Sequence, residues 1–343
     1  MPTPQMILVV TCRADQTAEL VIEKLQRRGA PVRRFDPADF PSRASLSQSF
    51  TPSTPGAMHL HVDGSAIDLH RLRCVWFRRP GEPTLHAEVQ DPDLRSYLGA
   101  ECGQRLEDVW SSLTCPCVPA IPAVIARAGL KATQLGLARQ HGFEVPATLF
   151  TNDPQAALAF HREHEGRIVS KLCGSAFNDR FIQRWVRYTE AVSARDLSTF
   201  ASLRFGPVIL QAMVLKRIEL RVTVVGDRVF AAEIHSQQRA RTRMDWRRYD
   251  LKRTPHRAHA LPEELARCCV ALTRRLGLHY GAIDLVLTPD GRYVFLEINP
   301  NGQFHWIEHL TGLQISDAVA DLLIGAVTVE SGRQHDAEEG AFA

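Results

Sequence analysis

The sequence predicts an α/β protein built from more than one lobe. Three observations carry this. The chain has 343 residues, more than one simple core accommodates. It opens as strand, helix and strand, the start of a βαβ unit. Its later part alternates short apolar runs with amphipathic stretches and closes on two apolar runs flanking a tight turn.

Bulk properties narrow the class. Apolar residues make up 45% and charged residues 23%, as in an ordinary globular protein. Apolar runs such as Val208–Leu210 are far too short to span a bilayer, so no membrane partner is expected. The stretch Met1–Val10 enters a strand at once, without a basic segment or cleavage site, which makes the cytosol the default location. A formal charge of +3 is too small to imply a nucleic-acid partner. Eight cysteines are scattered, and the close pairs Cys115/Cys117 and Cys268/Cys269 lack zinc-site spacing. Buried free thiols are expected.

Met6–Val10 reads as a buried strand. Asp15 to Arg28 has helical periodicity, with Ala18, Val21, Ile22 and Leu25 on one face, and Gly29 ends it. Val32–Phe35 is the next strand. Leu46 to Val62 alternates apolar and polar residues, as a pair of antiparallel strands would. Cys74–Phe77 is a strand leading to Arg78 and Arg79, and Asp93 to Leu113 is a long helix. Thr11–Asp15 contains no glycine, so the phosphate loop of a dinucleotide enzyme is absent. Cys115 to Pro122 reads as a linker.

Beyond it, Leu130 to His141 is a helix and Val145–Phe150 a strand. Asp153 caps a helix that runs through His164. Arg167–Lys171 and Val208–Gln211 are strands. Leu220–Val225 and Arg228–Glu233 form a hairpin across Gly226 and Asp227. Glu263 to Leu276 is a helix. Residues after about 330 form a polar tail.

The last hairpin carries the strongest chemical signal. Gly281–Leu287 and Tyr293–Asn299 flank a turn at Pro289–Gly291. Asp284 interrupts one apolar run, and Glu297 and Asn299 sit two apart on the other. A carboxylate in an apolar strand is costly unless paired or bound to a cation. Oxygen donors without Cys or His suit Mg²⁺ held jointly with substrate phosphates. An ordinary hairpin with edge-facing carboxylates is the plainer alternative.

The order of these parts resembles the ATP-grasp ligases. The resemblance implies an N-terminal pre-ATP-grasp domain (1–118) and an α+β two-lobed ATP-grasp fold with nucleotide between the lobes. The lobes would be a central small lobe (119–215) and a C-terminal lobe (216–330), followed by a tail (331–343). It implies that Lys131 and Lys171 contact nucleotide phosphates, as a compact cation on a long stem can. Leu172 to Phe177 would cover the phosphates. Gln211, Ala212, Met213 and Val214 would form the hinge at the adenine edge, with Gln211 accepting from the adenine amino group where the family often has Glu. Glu219 would hold the ribose hydroxyls. Asp245 and Arg247 resemble an Asp-x-Arg element whose arginine would reach the terminal phosphate and the acyl phosphate. Asp284, Glu297 and Asn299 match the Mg²⁺ ligands. His235, His305 and His309 lie near these segments and read as structural histidines.

Within the superfamily, Phe35–Phe40, Val75–Pro80, Glu219–Val225, Asp245–Arg247 and Leu296–Gln303 are similar to the graspetide, or microviridin-type, peptide maturases. That implies ATP-dependent joining of Asp or Glu side chains of a ribosomal precursor peptide, with leader and core, to Thr, Ser or Lys. The products are macrocyclic esters or amides. A homodimer is compatible with the resemblance alone. The basic run from Arg239 to Arg257 would suit an acidic core, and Arg78 and Arg79 would face the same cleft. A ligase making a linear amide, and a nucleotide-binding module without turnover, are the alternatives.

Overall fold

The computed structural model describes residues 5–52, 54–174, 189–238 and 254–325. The chain divides into two compact units, Met1–Pro122 with Ser316–Ala343, and Ala123–Ile315.

The first unit begins with β1 (Met6–Thr11), α1 (Gln16–Arg27) and β2 (Val32–Phe35). Asp15 caps α1 by accepting from the N–H groups of Thr17 and Ala18 at 3.1 and 3.3 Å. Ala18, Val21, Ile22 and Leu25 are buried, as the helical spacing requires. The alternating segment forms β3 (Ala44–Thr51) and β4 (Thr54–Val62), extended by the short strand β5 (Ser65–Asp68). Next come β6 (Leu72–Arg79) and α2 (Pro92–Ser111). The stretch expected to be a linker contains β7 (Cys117–Val118), which adds to β6 in parallel and gives the order β2-β1-β6-β7. Val75 N–H also donates to Pro116 C=O at 3.0 Å, so this stretch is sheet edge rather than linker.

Arg78 departs from expectation. It is 2% exposed, with Nε 3.7 Å from Asp15 Oδ2, while Arg79 is exposed. The carboxylate that caps α1 draws the Arg78 guanidinium inward, so Arg78 is not offered to a peptide.

The second unit contains two sheets. Helices α3 (Pro122–Ala128) and α4 (Lys131–Gln140) lead into β8 (Thr148–Thr151), α5 (Pro154–Glu163), β9 (Ile168–Lys171), β10 (Glu190–Ala191), α6 (Ala194–Leu197) and β11 (Val208–Ala212). The antiparallel order is β10-β9-β11-β8. One face of this sheet buries Ile168, Val208 and Leu210 against Ala157 and Phe200. The expected strand at Val145 starts instead at Thr148, because Pro146 has no N–H to give a ladder.

The other sheet is built from β12 (Ile218–Val225), β13 (Arg228–Ile234), β14 (His256–His259), β15 (Tyr280–Leu287) and β16 (Tyr293–Asn299). Helix α7 (Glu263–Arg275) precedes β15, and α8 (His305–Thr311) follows β16. The order is β14-β13-β12-β15-β16, antiparallel throughout. Finally, α9 (Ile315–Gly325) belongs almost entirely to the first unit, where Asp317 accepts from Lys24 and Arg28, each at 2.6 Å.

Among the described residues no helix is long and apolar enough to cross a membrane. All eight cysteines are free; Cys74, Cys117 and Cys269 are buried, but Cys173 is exposed, contrary to the expectation of uniformly buried thiols. Burial pushes the Cys74 and Cys269 thiols up to about 12, which keeps them protonated and inert.

Candidate active site

Pairing in the second sheet decides which side chains can meet. Arg221 on β12 opposes Asp284 on β15, and Asp284 opposes Glu297 on β16. Directly opposed residues share a face, so Glu219, Arg221, Asp284, Glu297 and Asn299 all project from one side. That alignment depends on a β-bulge. From Leu287 to Leu285 the partners run Tyr293, Val294, Phe295; then Asp284 pairs with Glu297, skipping Leu296. Were the same residues paired in a regular ladder with no bulge, Asp284 would oppose Leu296, and Glu297 would point to the other face.

A cleft of about 210 Å³ lies between the two sheets of this unit. Val169, Lys171 and Gln211 line it from one sheet, Glu219, Asp284, Leu296 and Glu297 from the other, and Ala212–Lys216 from the crossing between them. The structure thus brings together Lys171, Gln211, Ala212, Met213, Val214, Glu219, Asp284 and Glu297 of the expected site. Lys131, at the first turn of α4, reaches the same place through an ion pair with Glu297 Oε2. Asn299 shares their face but is exposed, and its Oδ1 accepts from Asn301 N–H at 2.9 Å. Asp245, Arg247, the phosphate-covering segment from Ser175 onward and basic residues 239–253 lie outside the described residues.

Charge is balanced locally. Asp284 is buried with Arg221, Nε to Oδ1 3.3 Å, with side chains 10% and 7% exposed. Lys216 Nζ donates to Glu219 Oε1 at 2.6 Å. The second Glu219 oxygen is buried and has no hydrogen-bond partner among the described residues. Such an orphan is costly and fits a ligand that brings hydroxyl donors into the cleft. On the other wall, Lys171 Nζ donates to Gln211 Oε1 at 2.7 Å, and Gln211 Nε2 donates to Thr148 Oγ1 at 2.9 Å. At the hinge, Ala212 N–H donates to Ala147 C=O and Met213 N–H to Arg167 C=O, both at 2.8 Å. Neither donor is turned toward a ligand. His235 Nε2 lies 2.8 Å from Glu233 Oε2.

Two contributors escaped the sequence reading. Arg221 carries the same signal as Asp284, a charge in an apolar strand, and sits two residues from Glu219. Gln134, 2% exposed, closes the open edge of β16: its Nε2 donates to Ile298 C=O at 2.7 Å and its Oε1 accepts from Ile298 N–H at 3.2 Å. Gln134 is one helical turn from Lys131, so docking α4 through Gln134 aims Lys131 at Glu297.

The loop after Asn299 is seated just as tightly. A Cβ on Gly302 would lie 2.2 Å from the Ala282 Cβ, and Gly302 C=O accepts from Tyr280 Oη at 2.5 Å. Gly302→Ala is therefore expected to lift this loop off β15, lower the melting temperature and reduce turnover together. An unchanged melting profile would show that β15 yields without cost.

The MvdD pre-ATP-grasp domain family matches residues 6–124, and the RimK-like ATP-grasp domain family matches residues 128–323. The macrocyclase MdnC of Microcystis aeruginosa MRC, crystallised with its precursor peptide MdnA, is 31% identical with a TM-score of 0.82, covering 94% of this chain and 99% of that one. A RiPP-associated ATP-grasp ligase of Chryseobacterium gregarium, in complex with ADP and a leader and core peptide, is 29% identical with a TM-score of 0.84, covering 94% and 97%. The macrocyclase MdnB of Microcystis aeruginosa MRC is 33% identical with a TM-score of 0.77, covering 94% and 99%. No curated protein matches the chain. A two-sheet cleft with this succession of domains makes the chain a member of the ATP-grasp ligases, enzymes driven by ATP. Among them it belongs with the graspetide, or microviridin-type, peptide maturases.

Proposed function

We propose that this enzyme binds Mg²⁺ and ATP in the cleft and closes macrocyclic ester or amide links within a ribosomal precursor peptide. The observation that carries the reading is the opposed pair Asp284 and Glu297, with Lys131 on one and Arg221 on the other, facing Lys171 across the cleft. Asp284, Glu297 and Asn299 are hard oxygen donors on one face, and they fit Mg²⁺. The ion, when bound, neutralises phosphate charge. Lys171 and Lys131 hold phosphate oxygens, Glu219 takes the ribose hydroxyls on its orphan oxygen, and Ala212–Val214 border the base. Asp245 and Arg247 belong to this proposal through their sequence motif.

The reaction needs positioning and charge neutralisation more than a nucleophilic side chain of the enzyme. A peptide Asp or Glu carboxylate displaces ADP from the γ-phosphorus and becomes an acyl phosphate. A Thr or Ser hydroxyl, or a Lys amine, then attacks the carbonyl carbon, loses its proton and expels phosphate. Each ring costs one ATP and removes one water from the peptide.

The test is incubation with MgATP and a precursor carrying leader and an acidic, Thr-, Ser- or Lys-containing core. ADP release with loss of one water per ring supports the reading, and alkaline lability separates esters from amides. A product joined to a second molecule, heavier than the precursor, would make it a linear ligase. The proposed homodimer is checked by light scattering.

A further inference from the structure

Gln211 sits where a base-reading residue was expected, yet both ends of its amide are engaged inside the protein. It is 3% exposed. Because a lysine ammonium can only donate, the Lys171 contact at 2.7 Å assigns the near atom as the Gln211 carbonyl oxygen. That leaves Nε2 to donate to Thr148 Oγ1 at 2.9 Å, and the Thr148 hydroxyl in turn donates to Pro146 C=O at 2.8 Å. The geometry follows from strand register. Gln211 opposes Thr148 on β8 and Val169 on β9, and Lys171 is two residues beyond Val169. All four therefore stand on the cleft side of the sheet, and the opposite side is the packed core.

We propose that Gln211 is a positioning residue that clamps Lys171 for the nucleotide phosphates and does not select the base. This rests on the cleft being the nucleotide site. Lys171 ends its strand on a long flexible stem, and a fixed acceptor behind it restricts where its ammonium can point. The acceptor is a neutral amide, so it orients the lysine without adding a negative charge beside an anionic ligand. Thr148 keeps the amide from rotating, and Pro146 keeps Thr148 from doing so.

The experiment measures ADP and GDP binding in the presence of Mg²⁺ by calorimetry, for the wild-type chain, Gln211→Met, Lys171→Met and the double variant. If Gln211 acts through Lys171, Gln211→Met weakens ADP and GDP by the same factor, about three- to tenfold. It then has little further effect once Lys171 is Met, because the two residues act as one unit. Gln211→Glu, which keeps an acceptor for the lysine, restores binding in part. With a precursor peptide, Gln211→Met raises the KM for ATP more than it lowers kcat, as loss of ground-state binding does. A Gln211→Met variant that loses ADP but not GDP affinity, or whose effect persists undiminished in the Lys171→Met background, overturns the clamp. Thermal melting keeps a general folding defect apart from either result. Failure of the wild-type chain to bind ADP would instead remove the nucleotide-site reading beneath it.

Discussion

Glu297→Gln is expected to reduce turnover by roughly a hundredfold or more while leaving the fold intact. Loss of a residue that merely supports a metal ligand costs about 10–100-fold, so loss of a ligand itself should reach at least the upper end. The exchange is nearly isosteric. The Lys131 ammonium that meets Glu297 Oε2 keeps a neutral oxygen to donate to, and the ladder opposite Asp284 is made by backbone atoms. What changes is one negative charge on the cleft face. ADP release with a precursor peptide, followed together with circular dichroism, checks this. Turnover near the wild-type level would remove Glu297 from the metal site.

The second large effect concerns Arg221, and it is mainly one of stability. Arg221 and Asp284 are both nearly buried, in the middle of a five-stranded sheet. Removing one partner of a buried ion pair costs about 3 kcal/mol or more. Arg221→Met should therefore lower the melting temperature by roughly 4 °C or more for a chain of this size. Adding Asp284→Asn should recover part of that loss, because the charge left behind is then gone, although this double variant should be inactive. A double variant that melts no higher than Arg221→Met would mean that Arg221 acts through packing rather than charge.

These residues were legible to different degrees, for physical reasons. Asp284 and Glu297 stood out because a carboxylate in an apolar strand demands an explanation from sequence alone. Their meeting on one face was less secure, because side-chain alternation across a hairpin depends on register, and the bulge at Leu296 leaves no mark in composition. The helix from Asp15 was visible through the spacing of Ala18, Val21, Ile22 and Leu25. The strands β5 and β7 were not, since segments of four and two residues carry too little periodicity. Position at a strand end suggested a ligand role for Arg78, but its burial is set by Asp15, a tertiary neighbour. The partners of Gln211 were hidden likewise: three strands must pair before Thr148 and Lys171 flank it.

The bulge at Leu296 gives this hairpin something like a reading frame. Residues between Leu296 and the turn at Pro289–Gly291 obey one parity, and those from Glu297 onward obey the other. A matched pair of residues added beside the turn moves the loop away and preserves the frame. Loss of Leu296 alone would make the ladder regular, with Phe295 still opposite Leu285 and Glu297 still opposite Asp284, so Glu297 and Asn299 would stay on the cleft face while the cleft lost the Leu296 side chain. The bulge therefore adds an apolar wall residue to the cleft, next to the opposed carboxylates, without changing their register.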